Sequence, residues 1–239
     1  MKRLSRMVLV CLLAGLGCQR PASAEHVDVV RIMPLGDSIT QGHVRFASYR
    51  RPLWLMLKQA GYRVDFVGSM QRNRGGGPNT DDFDPDHEGH WGWAIDRVLP
   101  ELPGWLAAAK PDVVLLHLGT NDALRGHPDD ETVREWFEVL RLIQAENPDI
   151  RVLAARLIPV VGQESLIKRL NDAFAKAWAE RPIPGLDLRW VDQFSGFEPT
   201  ADTWDGIHPN HQGDRKLAER WFAALREVLP APDTQAAQP

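Results

Sequence analysis

Five short apolar runs, each closed by glycine, proline or a polar turn and separated by helical stripes, constrain this chain more than any other feature. Val27 to Met33 reads as a β-branched strand, interrupted at Asp28 and Arg31 and ended by Pro34 and Gly36. Asp65 to Ser69, Asp112 to Leu118, Arg151 to Ile158 and Leu188 to Val191 read as four more. Ser48 to Ala60 predicts a helix that tolerates Pro52 only in its first turn and stops at Gly61. A second helix ends near Lys110, before Pro111. Glu131 to Glu146 carries one apolar stripe through Val133, Trp136, Phe137, Leu140 and Ile143. Glu164 to Glu180 repeats the pattern with Ile167, Leu170, Phe174, Ala177 and Trp178, and His211 to Leu229 with Leu217, Trp221, Leu225 and Val228. Strand–helix alternation implies an α/β fold: a parallel sheet with helices on both faces. One domain over residues 25–229 is expected, with no internal repeat, and the Ala/Pro/Gln-rich residues 230–239 are expected to be disordered.

The first 24 residues do not belong to that pattern. Lys2, Arg3 and Arg6 precede an apolar stretch from Met7 to Gly17 that is too short to span a bilayer, and Ala22-Ser23-Ala24 is an A-x-A cleavage site. Export to the periplasm or medium is expected, with lipidation at Cys18 as the alternative, although Gly15 departs from a lipoprotein box. Both cysteines, Cys11 and Cys18, lie in this leader, so a chain cut after Ala24 has no disulfide, thiolate metal site or cysteine nucleophile. Lys2, Arg3, Arg6 and Arg20 leave with it, which takes the net charge from −4 to −8. Such a chain is a poor match for nucleic acid. A monomer without a membrane span is expected.

Chemistry concentrates at strand ends. Ser38 follows the first strand within Leu35-Gly36-Asp37-Ser38-Ile39-Thr40, where open α/β sheets place their sites. A serine hydroxyl needs a base, and the base needs an orienting partner. Asp205-Gly206-Ile207-His208 can supply both from one tight turn. His117 lies inside a strand and His211 opens a helix; neither has a carboxylate three residues before it, so His208 is the better base. Gly68 and Asn121 follow the second and third strands. The Ser38 and Gly68 backbone N–H groups and the Asn121 amide are the candidate donors to an oxyanion. Asp37, Trp91, Trp93 and Trp204 are the candidate substrate contacts, because aromatic faces stack on sugar rings.

These blocks resemble the SGNH (GDSL) hydrolase superfamily. The resemblance implies Ser38 as nucleophile, Gly68 and Asn121 in the oxyanion hole, Asp205 and His208 completing the triad, and no cofactor. It also implies a three-layer α/β/α sandwich around a five-stranded, flavodoxin-like parallel sheet. Five segments are similar to carbohydrate esterase family 3, the acetylxylan esterases: Ile32 to Thr40, Ser48-Tyr49-Arg50, Val64 to Ser69, Asp86 to His90 and Trp204 to His208. They imply a serine esterase that takes short acyl groups, acetyl foremost, from an acylated carbohydrate such as xylan. The alternatives are a lysophospholipase or thioesterase of the same superfamily, which needs an apolar groove, and a silent glycan-binding protein.

Residues 69–93 form a long insertion, expected to brace the site. Its Gly-rich stretch lacks the lysine of a phosphate loop. Asp82, Asp84 and Asp86 alternate like a calcium loop, yet His87 stands where that loop needs glycine. His87 and His90 are three apart rather than the four of a zinc helix. No metal is therefore expected.

Overall fold

The computed structural model describes residues 29–76 and 81–232. The leader, Cys18 and most of the tail lie outside these described residues. Strand β1 (Val30–Gly36) runs into the short helix α1 (Ser38–Gln41), then α2 (Arg50–Gln59), β2 (Val64–Phe66) and β3 (Glu88–Gly89). Next come α3 (Ile95–Val98), α4 (Leu102–Ala109), β4 (Val113–His117), α5 (Thr120–Arg125) and α6 (Asp129–Glu146). The chain ends with β5 (Arg151–Arg156), α7 (Glu164–Glu180), β6 (Asp187–Asp192), α8 (Pro199–Asp202) and α9 (His211–Leu225). All pairings are parallel and the main order is β2-β1-β4-β5-β6, the flavodoxin-like arrangement. The sheet has six strands rather than five, because β3, inside the 69–93 insertion, pairs with the end of β1.

Alternation along each strand divides the core in two. Met33, Leu35, Val114, Leu116, Val152 and Ala154 face α4, α6 and α7, where they meet Leu106, Leu140 and Phe174. Ile32, Val113, Leu115, Leu153 and Val191 face α2 and α9, where they meet Leu53, Leu57, Leu217 and Trp221. The predicted stripes of the long helices are these buried faces.

Strand β1 starts later than the sequence predicts and passes through Pro34 instead of ending there. The ladder shows why proline is tolerated. Val67 N–H donates to Ile32 O, and His90 N–H donates to Gly36 O, along the same edge of β1. Pro34 falls between these bonds, where β2 has ended and β3 has not begun, so its missing N–H removes no ladder bond.

The insertion is anchored by groups whose role the sequence hides. Arg50 is fully buried. Its guanidinium donates to Thr40 O (2.9 Å), Gln41 O (3.0 Å), Pro85 O (2.6 Å) and Asn73 Oδ1 (2.7 Å). Burial lowers its pKa to about 10. Buried Glu88 accepts from Ser69 N and Ser69 Oγ and bonds His90 Nε2 at 2.6 Å. The His90 ring stacks with both Trp93 (4.5 Å) and Trp105 (4.4 Å). The three aspartates of the apparent calcium loop are engaged separately: Asp82 with Arg51, Asp84 with the Phe66 and Asp86 N–H groups, and Asp86 with Gln71. Among the described residues, no group of three potential ligands is placed to hold a metal ion.

Arg50→Met keeps an unbranched stem but removes the donor to four acceptors, of which Thr40 O keeps another donor in Ser48 Oγ. Unfolding in urea should show a loss of about 3 kcal/mol or more, since a buried polar group left unpaired costs about 1–3 kcal/mol. Arg50→Lys, which keeps the charge without the fork, should fall between the two. A loss below about 1 kcal/mol for Arg50→Met would show that the buried guanidinium does not brace the insertion.

Candidate active site

Ser38 is the first residue of α1, immediately past the carboxyl end of β1. Asp37 caps that helix by accepting from Ile39 N–H at 2.9 Å. Gly36 is required by crowding, because a Cβ there would lie 2.4 Å from His117 O. Ser38 is held by backbone on both sides, yet its hydroxyl faces a small void.

The loop before α9 brings the other two groups. Gly206 adopts φ 89°, and its N–H donates to Thr203 Oγ1 while its carbonyl accepts from Val161 N–H. This turn folds Asp205 back on His208. Asp205 Oδ1 accepts the His208 and Ile207 N–H groups at 2.7 and 3.0 Å, and Oδ2 bonds His208 Nδ1 at 2.7 Å. Partial burial pushes the Asp205 carboxyl up, but the hydrogen bonds from His208 and Ile207 outweigh it and hold the group below the usual carboxylate range. His208 Nε2 lies 2.9 Å from Ser38 Oγ. Hydroxyl, imidazole and carboxylate thus form one continuous relay, geometry that allows proton transfer from an attacking hydroxyl.

Aromatic rings fix the imidazole. Trp91 stacks on His208 at 4.4 Å and Trp204 stacks on it at 5.7 Å. Gln41 Oε1 accepts the Trp91 N–H, so the insertion is tied to the helix that bears Ser38. His43 and Phe46 lie near Trp204 at 5.3 and 6.3 Å. The sequence gives no sign of these two beyond their ring character. The void between these rings and Ser38 holds about 10 Å³.

The remaining candidates divide. Asn121 sits at the start of α5, just past β4, after Gly119 at φ 127°. Its amide donates to Trp93 O (2.9 Å) and, at a longer 3.3 Å, to Asp37 Oδ2. It therefore reaches the residue beside Ser38. Gly68 lies beyond β2, and a Cβ there would meet the His87 carbonyl group at 2.2 Å. Close approach of two backbones, not a positive φ, demands glycine here. One expected substrate contact is corrected. Asp37 is fully buried, with its oxygens engaged by Ile39 and Asn121, so it cannot touch a ligand. Trp93 is half-buried, stacked on His90 and beneath the Arg97 guanidinium, and its carbonyl accepts the Asn121 amide. Burial raises the Asp37 pKa to about 7, opposed mainly by the Ile39 N–H. His117 is fully buried with both ring nitrogens unpartnered, and burial lowers its pKa to about 4; it takes no part in the relay.

The chain matches the model of the GDSL-like lipase/acylhydrolase family over residues 35–216. It is 28% identical over 251 residues to a multidomain esterase of Ruminococcus flavefaciens, covering 92% of this chain and 32% of that protein. It is 28% identical to an acetylxylan esterase of Xylanibacter ruminicola, covering 86% of this chain and 45% of that one. The chain thus spans about a third to a half of these two relatives. A carbohydrate esterase family 3 structure from Talaromyces cellulolyticus superposes with a TM-score of 0.74 at 32% identity, covering 84% of this chain and 98% of that one. A family 3 carbohydrate esterase from Clostridium thermocellum does so with 0.72 at 30% identity, covering 85% and 100%. With the family model spanning every motif from Gly36 to His208, the chain belongs to the GDSL-like lipase/acylhydrolase family of serine ester hydrolases.

Proposed function

We propose that this chain is an exported esterase that removes short acyl groups, acetyl foremost, from polysaccharide. The observation that carries the short-acyl reading is the void of about 10 Å³ between Ser38 and the rings of Trp91, Trp204, His43 and Phe46. A space of that size holds about one water. It suits a methyl group far better than a chain of methylenes. Relatives named as acetylxylan and family 3 carbohydrate esterases support the same reading. Trp204 is 37% exposed at the mouth, a ring face on which a sugar can stack. The alternative, a lysophospholipase or thioesterase, has its own named relative, which is 30% identical over 55% of this chain. Export rests on the leader sequence alone.

In this reading Ser38 Oγ adds to the ester carbonyl while His208 Nε2 accepts the hydroxyl proton. Asp205 holds the imidazole and stabilises its positive form. The Ser38 and Gly68 N–H groups and the Asn121 amide hold the oxyanion. Of the two Asn121 hydrogens, the one on the long bond to Asp37 turns toward the substrate, and the Trp93 carbonyl keeps the other. The imidazolium then protonates the departing sugar oxygen. Water repeats the sequence on the acyl-enzyme and releases the acid.

Replacing Ser38 with alanine should leave the circular dichroism spectrum unchanged and lower turnover of p-nitrophenyl acetate on the order of 10⁴-fold. Near-full activity in that folded variant would end the assignment.

Across p-nitrophenyl esters of two to twelve carbons, acetate should be cleaved about ten to two hundred times faster than octanoate, because overpacking a closed site costs about 1–3 kcal/mol. A rate that rises with chain length would favour the lysophospholipase reading.

The raised pKa of Asp37 gives a stability signature. An ordinary carboxyl ionises near pH 3.8 in the unfolded chain, whereas the folded one keeps its proton to about pH 7. Stability from this group is therefore full below the lower value, is lost as pH rises through the window, and levels off above it. Asp37→Asn can still cap Ile39 but cannot titrate. Its stability relative to wild type should climb between pH 4 and 7, by up to about 4 kcal/mol at 1.36 kcal/mol per unit. Urea titrations at several pH values measure the gap, and parallel curves would remove the buried carboxyl from the account.

A further inference from the structure

A second, much larger cavity of about 580 Å³ lies between α2 and α9, on the other side of the loop from His43 to Ser48. It shares two wall residues, Ser48 and Asp214, with the void at Ser38. None of the chemistry above uses it. Its volume is within the roughly 300–1,000 Å³ of cavities that enclose small organic ligands.

The lining is of two kinds. Ala47, Pro52, Leu55 and Met56 give an aliphatic floor, and Leu55 is 38% exposed there, a large apolar side chain left facing solvent. Arg45, Arg51 and Arg215 stand around it. Arg51 pairs with Asp82 and Arg215 with Glu219, whereas the exposed Arg45 guanidinium has no ion pair among the described residues. With Arg51 and Arg215 neutralised by their partners, Arg45 is the rim cation left to meet an anion. There is no tryptophan, tyrosine or phenylalanine in the lining, unlike the mouth at Ser38. An aliphatic chain suits this floor better than a sugar ring.

Asp214 supplies the second observation. It is only 4% exposed, faces both cavities, and its carboxyl accepts no hydrogen bond from any described residue. The residue lines both cavities, where an occupant or water can meet its carboxyl. Burial pushes this carboxyl well above the usual range, against the attraction of Arg50. Ser48, the other shared residue, is held at φ 65° and donates from Oγ to Ile39 O and Thr40 O, the backbone of the helix that bears Ser38. An occupant would touch the wall that positions that helix.

We propose that the cavity between α2 and α9 binds an aliphatic carboxylate, with its head at the Arg45 side of the guanidinium rim and its chain on Pro52, Leu55 and Met56. The site is independent of the acyl-transfer reading, because it lies outside the void at Ser38.

Calorimetric titration of the full chain with sodium octanoate tests it, with n-octanol and sodium glucuronate run beside it. Octanoate should saturate with a Kd below about 1 mM. Octanol and glucuronate should bind at least about tenfold more weakly, the first lacking the charge and the second the chain. Arg45→Ala, on an exposed loop, should weaken octanoate by about tenfold or more, and Met56→Trp, which fills the floor, should do the same. Trp204→Ala, at the mouth of the Ser38 void, should leave octanoate binding unchanged. The proposal fails if octanoate gives no saturable heat, if octanol or glucuronate binds as tightly, or if Arg45→Ala is without effect. It fails equally if Trp204→Ala abolishes binding, because the ligand would then occupy the mouth at Ser38.

Discussion

The buried guanidinium of Arg50 is the interaction on which the site most depends. A charge taken out of water is costly unless every donor finds an acceptor. Arg50 finds them on two pieces of chain: the end of the helix that bears Ser38, and the insertion, through the Pro85 carbonyl and Asn73. One planar group thereby locks the nucleophile's helix to the segment that delivers Trp91. Gln41 repeats the tie by accepting the Trp91 N–H. The imidazole stacked on Trp91 is thus held from the same side as the hydroxyl it faces.

The topology does the rest. Strand β1 has β2 and β3 on one edge and β4 on the other, so successive connections leave it in opposite directions. Such a switch opens a crevice at the carboxyl ends of the strands. Ser38 and Asn121 arrive there in the short turns that follow β1 and β4. The turn from Thr203 to Pro209 needs to bring in only a base and its orienting carboxylate. It does so by folding Asp205 onto His208 and bonding Gly206 to Val161 at the end of the neighbouring connection. The relay itself is two hydrogen bonds long.

How much of this was legible depends on how local each feature is. The strands and long helices could be read because period-2 and period-3.6 patterns record which face is buried, and α7 spans the residues predicted for it. Ser38, Asp205 and His208 could be read because each sits in a short motif at a strand end or a tight turn, and the fold brings them together. Pro34 misled, since whether a missing N–H matters depends on where β2 stops and β3 starts. Asp37 misled for a similar reason: adjacency to a nucleophile suggests substrate contact, while its burial follows from Asn121 crossing over from another strand. Arg50 and Asp214 look like ordinary helix charges in the sequence. Their burial arises only when the 69–93 insertion and α9 pack against α2, which no local pattern encodes.

The central claim is that the Ser38 hydroxyl, activated through His208, is the group that takes the acyl unit. Treatment with a phosphonofluoridate, followed by mass spectrometry of the digested chain, tests it most directly. The account predicts one adduct per chain, on the peptide that contains Ser38, with esterase activity lost in proportion to labelling and no adduct in a chain whose His208 is replaced by alanine. An enzyme that loses activity with the label elsewhere, or that keeps activity with Ser38 fully labelled, would contradict it.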